Sequence, residues 1–107
     1  MTIVKNIALV GLAATLALPA IAFAQGSGAD TFKAKCAMCH GADGSASTGM
    51  GKSMGLKPLG GSEVQAMSDA DMTALITDGK GKMPAYKGKL SDAQIKDVVA
   101  YIRTLKK

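Results

Sequence analysis

The segment Cys36-Ala37-Met38-Cys39-His40 constrains this chain more than any other part of it. Two residues separate its thiols, and the second thiol is followed directly by the only histidine of the sequence. The chain has no third cysteine, so it cannot supply the four Cys and His ligands of a structural zinc site. The two thiols and the imidazole are therefore expected to bind the same group.

A covalently attached haem accounts best for this segment. Cys-x-x-Cys-His is a haem attachment signature: Cys36 and Cys39 can form thioethers with two vinyl groups on one haem edge, and His40 is then brought beneath the iron. A thioredoxin-like redox pair would accompany a βαβ pattern, which the sequence lacks. A simple disulfide between the two cysteines is the remaining alternative in an exported protein.

The rest of the chain offers little with which to fill an interior. It has no Trp, two Phe and two Tyr against 13 Gly, and much of its apolar content lies near the N-terminus. A small chain with so few large side chains usually needs a disulfide, a metal or a bound cofactor. One haem c, attached through Cys36 and Cys39, would supply the missing apolar volume.

The first 24 residues have the pattern of a secretory leader. Lys5 precedes an apolar run from Ile7 to Leu18, and Ala22-Phe23-Ala24 is a small-x-small cleavage site. The uncharged run is shorter than the roughly 20 apolar residues of a comfortable membrane span. We therefore expect a leader at 1–24, one domain at 25–107, export to the periplasm and no stable membrane insertion after cleavage.

Helical spacing is the only periodicity in the expected domain. Three main helices are predicted, at about Ala29–Met38, from Ser68 to Gly79, and from Ser91 to about Leu105. Ser27, Ser68 and Ser91 are their expected N-caps. Residues 41–61 are rich in Gly, Ser, Thr and Met and are predicted to form a long loop, which needs something to organise it. The pattern predicts an all-α fold.

The second axial ligand of the iron is expected to be a methionine. His40 is the only histidine, so two histidine ligands from this chain are excluded. Three methionines lie on the expected loops, and Met83 is favoured because Pro84 restricts it to an extended conformation within a Gly-rich loop. Met54 and Met50 are the alternatives.

With its attachment segment near the start, Met83-Pro84 far downstream and an aromatic residue on its last helix, the mature chain resembles the class I c-type cytochromes. Among these it is most similar to small monohaem electron carriers of bacterial and photosynthetic type. The resemblance implies the small class I fold, with about three main helices and long loops around one covalently bound haem. It also implies that Gly28 and Phe32 meet Tyr101 where the first and last helices cross.

The resemblance further implies a hydrogen bond behind the histidine ligand. In this family the imidazole N–H opposite the iron donates to a backbone carbonyl from a Pro-containing loop, and Pro58 is the nearest match. The expected haem-binding residues are therefore Cys36, Cys39, His40, Met83 and Pro58, with His40 and Met83 on the iron.

These features predict a one-electron carrier rather than an enzyme. Its expected partners are a redox donor and acceptor, such as a cytochrome bc complex, an oxidase or a dehydrogenase, and it is expected to be a monomer. The net charge of +5 favours an acidic protein partner over nucleic acid, because the lysines alternate with Asp and Gly. The lysines expected around the haem are Lys52, Lys57, Lys80, Lys82, Lys87 and Lys89, and an ordinary solvated surface is the alternative explanation for them.

Two other functions stay open at this point. A haem enzyme or gas sensor would keep an open iron position, although in cytochrome c′-like binders the attachment segment lies near the C-terminus. A haem subunit docked in a larger respiratory complex would share the sequence features of a free carrier.

Overall fold

The computed structural model is all-helical in the part that it describes, which is 20–107 for the backbone and 27–107 for the side chains. The helices in this part are α1 (Ala20–Lys35), α2 (Ala37–His40), α3 (Gly49–Met54), α4 (Ser62–Gln65), α5 (Asp69–Asp78) and α6 (Asp92–Thr104). Two backbone bridges, Lys80–Met83 and Lys87–Leu90, are isolated. The expected all-α fold is confirmed. The expected leader lies outside the described residues, apart from the backbone of 20–24.

Helix α6 is the centre of the packing, because α1 and α5 both lie against it. Its buried residues are Ile95, Val98, Val99 and Ile102, which repeat at the helical period predicted from the sequence. The predicted capping box is formed: Ser91 Oγ accepts from the amide of Gln94, and Gln94 Oε1 accepts from the amide of Ser91. Ser68 likewise caps α5 by accepting from the amide of Asp71.

Helices α1 and α6 cross at very short distance. A Cβ atom at Gly28 would collide with the carbonyl oxygen of Asp97, and would lie 2.8 Å from its carbonyl carbon and 3.2 Å from Tyr101 Cβ. One turn further along α1, the fully buried Phe32 ring lies 5.2 Å from the Tyr101 ring, centroid to centroid. The predicted contact of Gly28 and Phe32 with Tyr101 is therefore present.

The first helix differs from the prediction at both ends. It already includes Ala20, the first described residue, and passes through Ser27, so Ser27 is not its N-cap. Ala20, Ala22 and Ala24 are strong helix formers that continue the helix upstream. It ends at Lys35 rather than Met38, because the amide of Cys39 bonds to the carbonyl of Cys36 at 3.2 Å and the chain starts the separate short helix α2.

Residues 41–61 also differ from the predicted long loop. They contain α3, whose N-cap is Thr48: its hydroxyl accepts from the amide of Gly51 at 2.8 Å. Gly55 ends α3 in a left-handed conformation, with φ of 65°. A helix of six residues is too short to leave an apolar period in the sequence, and it depends on these two caps.

A polar clamp fastens α4 and the segment after it to α6. Gln65 Nε2 donates to the carbonyls of Leu59 and Ile102, at 2.8 and 3.0 Å. Arg103 donates to the carbonyls of Gln65 and Met67 and forms an ion pair with Asp69. The clamp satisfies backbone carbonyls in a part of the chain that has little regular structure.

The close crossing predicts that Gly28→Ala destabilises the protein. The added methyl group meets backbone atoms of α6, which cannot move away as a flexible side chain would, so we expect a loss of about 1–3 kcal/mol. The midpoint of chemical denaturation of the haem-bound protein measures it. Gly49→Ala is the matched control, because no atom lies within 4 Å of a Cβ at that position. Equal midpoints for both variants would show that the helices do not need this close approach.

Candidate haem site

The attachment segment stands at a break between two helices. Helix α1 stops at Lys35, and α2 carries Ala37 to His40. The carbonyl of Cys36 accepts from the amides of Cys39 and His40, at 3.2 and 2.9 Å. This arrangement winds the segment tightly, and it brings both sulfurs and the imidazole to one wall of a cleft that Cys36 and His40 line.

Carbonyl groups at this helix break accept hydrogen bonds from distant parts of the chain. Carbonyls at a helix end have no partner inside the helix, so such bonds satisfy them. Three bonds do this: Tyr86 hydroxyl to Lys35 carbonyl at 2.9 Å, Thr48 hydroxyl to Cys39 carbonyl at 2.8 Å, and Ala46 amide to His40 carbonyl at 2.8 Å. The loops on both sides of the cleft are thereby fixed to the backbone of the attachment segment.

Cys36 and Cys39 are free, half-buried thiols, so the alternative of a disulfide between them is not the state of this structure. Burial raises the pKa of the Cys36 thiol to about 11, and the neighbouring Cys39 adds to the rise. Cys36 is therefore a protonated thiol at neutral pH and not a reactive thiolate of the kind found in redox enzymes. Nor do the described residues contain any cluster of three or more His, Cys, Asp or Glu that could hold a metal ion.

His40 has the properties of a metal ligand. Burial lowers its pKa, so the imidazole is neutral at pH 7, which is the form that binds metal ions. Its Nδ1 atom is buried and has no hydrogen-bond partner. A buried polar atom without a partner is costly, so this ring is arranged to be completed by a further interaction.

Two cavities meet at His40. The first, of about 170 Å³, is lined almost entirely by apolar side chains of α1, α5 and α6 and of the 57–67 segment. The second, of about 360 Å³, opens between the attachment segment, Met54 and the loop that carries Met83. Cys36, His40 and Met83 line both cavities. The two cavities are therefore two parts of one cleft.

The structure separates the candidate methionine ligands. Met83 lines both parts of the cleft, whereas Met54 lines the second part alone. Met50 is 48% exposed and lines neither part. Two methionines outside the predicted set, Met67 and Met72, contribute to the apolar wall of the first part.

Pro58 makes no hydrogen bond to the buried Nδ1 atom of His40 in this structure. It is exposed and lines neither part of the cleft, and its carbonyl accepts from the amide of Gly61 at 3.1 Å. Leu59 is the residue of this segment that turns inward, because its amide donates to the carbonyl of Gly44 and its side chain is buried. The expected hydrogen bond between His40 and the Pro58 carbonyl is not formed here, and the role of Pro58 stays a prediction.

Positive charge surrounds the second part of the cleft. Lys80 and Lys82 line it, as expected, and Lys35 joins them. Lys57 lines the first part, and no Asp or Glu lines either part. The remaining lysines of the predicted set are exposed but lie outside the lining: Lys52, Lys87 and Lys89.

Three residues that contribute to the site were not predicted from the sequence: Thr48, Tyr86 and Lys35. Thr48 could have been found, because a Thr placed before a Gly-rich helical turn that ends in Gly is an N-cap pattern. The partners Tyr86 and Lys35 are 51 residues apart, and no local pattern predicts such a bond.

The cleft fits a haem. Most of its lining is apolar, both thiols line it, and so do the neutral imidazole of His40 and the side chain of Met83. Imidazole with thioether is a ligand pair that haem iron accepts in c-type cytochromes. An apolar macrocycle would also fill an interior that the chain leaves open between α1, α5 and α6.

Comparisons with known proteins agree with this fit. The family model described as cytochrome C oxidase, cbb3-type, subunit III matches residues 24–102. Cytochrome c6 from Leptolyngbya boryana is 40% identical over 79 residues, which are 71% of this chain and 86% of that protein. The Cbb3-type cytochrome c oxidase subunit CcoP from Azospirillum brasilense is 34% identical over 80 residues, 73% of this chain but 27% of the relative.

A solved structure, the c-type cytochrome KustC0563, has a TM-score of 0.70 and 32% sequence identity, and the match covers 75% of this chain and 98% of that one. The family match includes the attachment segment, the residues that line the cleft and most of α6. This chain therefore belongs to the c-type cytochromes, in the family described as cytochrome C oxidase, cbb3-type, subunit III, and is a monohaem electron carrier with haem c attached through Cys36 and Cys39.

Proposed function

We propose that the protein is a one-electron shuttle between redox proteins of the periplasm, with His40 and Met83 as the two axial ligands. The observation that carries the ligand assignment is the position of Met83, which lines both parts of the cleft together with Cys36 and His40. When bound, haem c supplies a single iron that changes between the ferric and ferrous states. The chain itself must supply the axial ligands, the apolar surroundings of the haem and the surface that binds the redox partner.

The chain would leave no iron position open to a substrate. Two protein ligands would occupy both axial positions, which argues against a haem enzyme or gas sensor. Phe32, Ile76 and Val98 are buried and form part of the apolar wall of the first part of the cleft. A neutral thioether in this setting favours the ferrous state, so Met83 would raise the reduction potential relative to a second nitrogen ligand.

The ligand assignment predicts the spectra of three variants. Met83→Ala should lose the weak far-red band of a methionine sulfur bound to ferric iron and should lower the reduction potential, because the neutral soft ligand is gone. Met54→Ala should keep the band although Met54 also lines the cleft, and Met50→Ala is the exposed control. The reverse pattern, with the band lost in Met54→Ala and kept in Met83→Ala, would assign the ligand to Met54.

Export is inferred from the leader pattern at 1–24, with cleavage after Ala24 and a mature domain from Gln25. Within 20–107, no helix has both the length and the apolar character needed to cross a membrane. Covalent attachment suits an exported carrier, since the haem cannot be lost to the surroundings.

The partner surface is proposed to be the mouth of the second part of the cleft. Lys35, Lys80 and Lys82 stand around it without an acidic residue among the lining, so it would attract an acidic surface on the redox partner. Charged rims of this kind mainly raise the rate at which the two proteins associate.

Small charged oxidants provide a test of this local field. Oxidation of the ferrous protein by hexacyanoferrate(III) should slow with added salt, and Lys80→Gln with Lys82→Gln should slow it further, by about 2- to 10-fold at low salt. Lys96→Gln is a matched control that removes one charge from a groove lined by Asp69 and Asp78. If Lys96→Gln slowed the oxidation as much, per charge removed, as the Lys80 and Lys82 substitutions, the net charge of the protein and not the rim would set the oxidation rate.

A second candidate function is a haem subunit docked in a respiratory oxidase. The observation that favours it is the similarity to subunit CcoP, where the matched segment is 27% of a larger protein. Size-exclusion chromatography of the protein from its native source distinguishes the two functions. A free carrier should elute as a monomer of about the mass of one chain, whereas a subunit should elute with an oxidase.

A further inference from the structure

The side chain of Tyr86 joins two parts of the molecule that hold opposite faces of the proposed iron site. Its hydroxyl donates to the carbonyl of Lys35 at 2.9 Å, across 51 residues of sequence. Lys35 is the last residue of α1 and directly precedes Cys36. The amide of Cys39 bonds to Cys36 instead of continuing the ladder of α1, so the Lys35 carbonyl takes its donor from outside the helix.

Residues 79–86, here called the Met83 loop, are otherwise anchored to α5. The amide of Gly79 donates to the carbonyl of Leu75 at 2.8 Å, and the amide of Tyr86 donates to the carbonyl of Ile76 at 3.0 Å. Both ends of the loop are therefore hydrogen-bonded to the C-terminal part of α5. Helix α5 and helix α1 each pack on α6, and both line the cleft.

The Met83 loop is compact. The amide of Lys80 donates to the carbonyl of Met83 at 3.1 Å, and the amide of Met83 donates back to the carbonyl of Lys80 at 3.0 Å. A Cβ at Gly79, whose φ is +77°, would lie 2.7 Å from the Met83 carbonyl oxygen. A loop closed this tightly moves as one body, so fixing Tyr86 at its end also fixes Met83.

Contacts to the next turn of the chain fix the position of Tyr86. Its backbone carbonyl accepts from the amides of Lys89 and Leu90, at 2.9 and 3.0 Å, and Lys89 Nζ lies 5.9 Å from the centre of its ring. Burial raises the pKa of the phenol, which is therefore protonated at neutral pH and able to donate. Among the side-chain hydrogen bonds of residues 27–107, this is the bond that joins the Met83 loop to α1.

We propose that the Tyr86 hydroxyl is a positioning group for Met83: its bond to the Lys35 carbonyl keeps the Met83 loop close to the attachment segment and opposes departure of the thioether from the iron. The proposal rests on the proposed His40/Met83 ligation. Tyr86 also lines the second part of the cleft, but in this role it does not bind the iron and acts through the position of the loop.

Cyanide binding to the ferric holoprotein tests the proposal. Cyanide can reach the iron only after the thioether leaves, so its binding rate reports how often the Met83 loop opens. Tyr86→Phe removes the hydroxyl and keeps the ring, and should retain the far-red methionine band while binding cyanide roughly fivefold faster, the effect of one neutral hydrogen bond. Tyr101→Phe is the matched control, since it removes a hydroxyl from a ring that packs on Phe32 at the helix crossing.

The outcomes separate this proposal from the ligand assignment on which it rests. Wild-type cyanide binding in Tyr86→Phe, with the methionine band present, would overturn the role of Tyr86 and leave Met83 as the ligand. Equal acceleration in Tyr86→Phe and Tyr101→Phe would also overturn it, because general loosening would then explain both. Absence of the methionine band in the wild-type protein would instead overturn the ligand assignment itself.

Discussion

The end of helix α1 at the attachment segment is the constraint on which the rest of the site depends. A helix that stops leaves carbonyl groups without partners. Here Lys35 at the end of α1, and Cys39 and His40 at the end of α2, accept hydrogen bonds from residues outside their own helices. Donors from two different loops bond to them. These bonds satisfy the carbonyls, so the same backbone break that places the thiols also helps to place the loops.

The second constraint is the small amount of apolar material in the chain. The described core relies on α6, on Phe32 and on a helix crossing so close that only glycine fits at position 28. Beyond this contact, the space between α1, α5 and α6 is left as a cleft with apolar walls. The cofactor is therefore part of the interior of the folded protein as well as its redox centre, and burial of its apolar surface on folding would stabilise the fold.

The sequence predicted those features that depend on local pattern. The apolar period of α6, the capping Ser68 and Ser91, and the attachment segment are all encoded within a few residues, and each was found. The predicted N-cap at Ser27 was wrong, because the alanines before it are strong helix formers and α1 continues through them. The short helix α3 was missed because six residues show no periodicity.

Features that depend on contacts distant in sequence could not be predicted in the same way. The Tyr86 bond to Lys35 spans 51 residues, and the clamp from Arg103 reaches residues more than 30 positions away. The inward turn of Leu59 rather than Pro58 follows from the bond between Leu59 and Gly44, which is a tertiary contact. Family resemblance indicated the general position of this segment but not which of its side chains is buried.

Docking onto backbone carbonyls has a consequence for how this surface can evolve. The loops bond to main-chain atoms of the attachment segment, so the identity of the side chains at Ala37 and Met38 does not enter those bonds. Met38 is 77% exposed and lies between the two cysteines in the sequence. Position 38 is therefore free to vary without disturbing the bonds that hold the loops to the attachment segment, so the surface beside the thiols can change while the site behind it is kept.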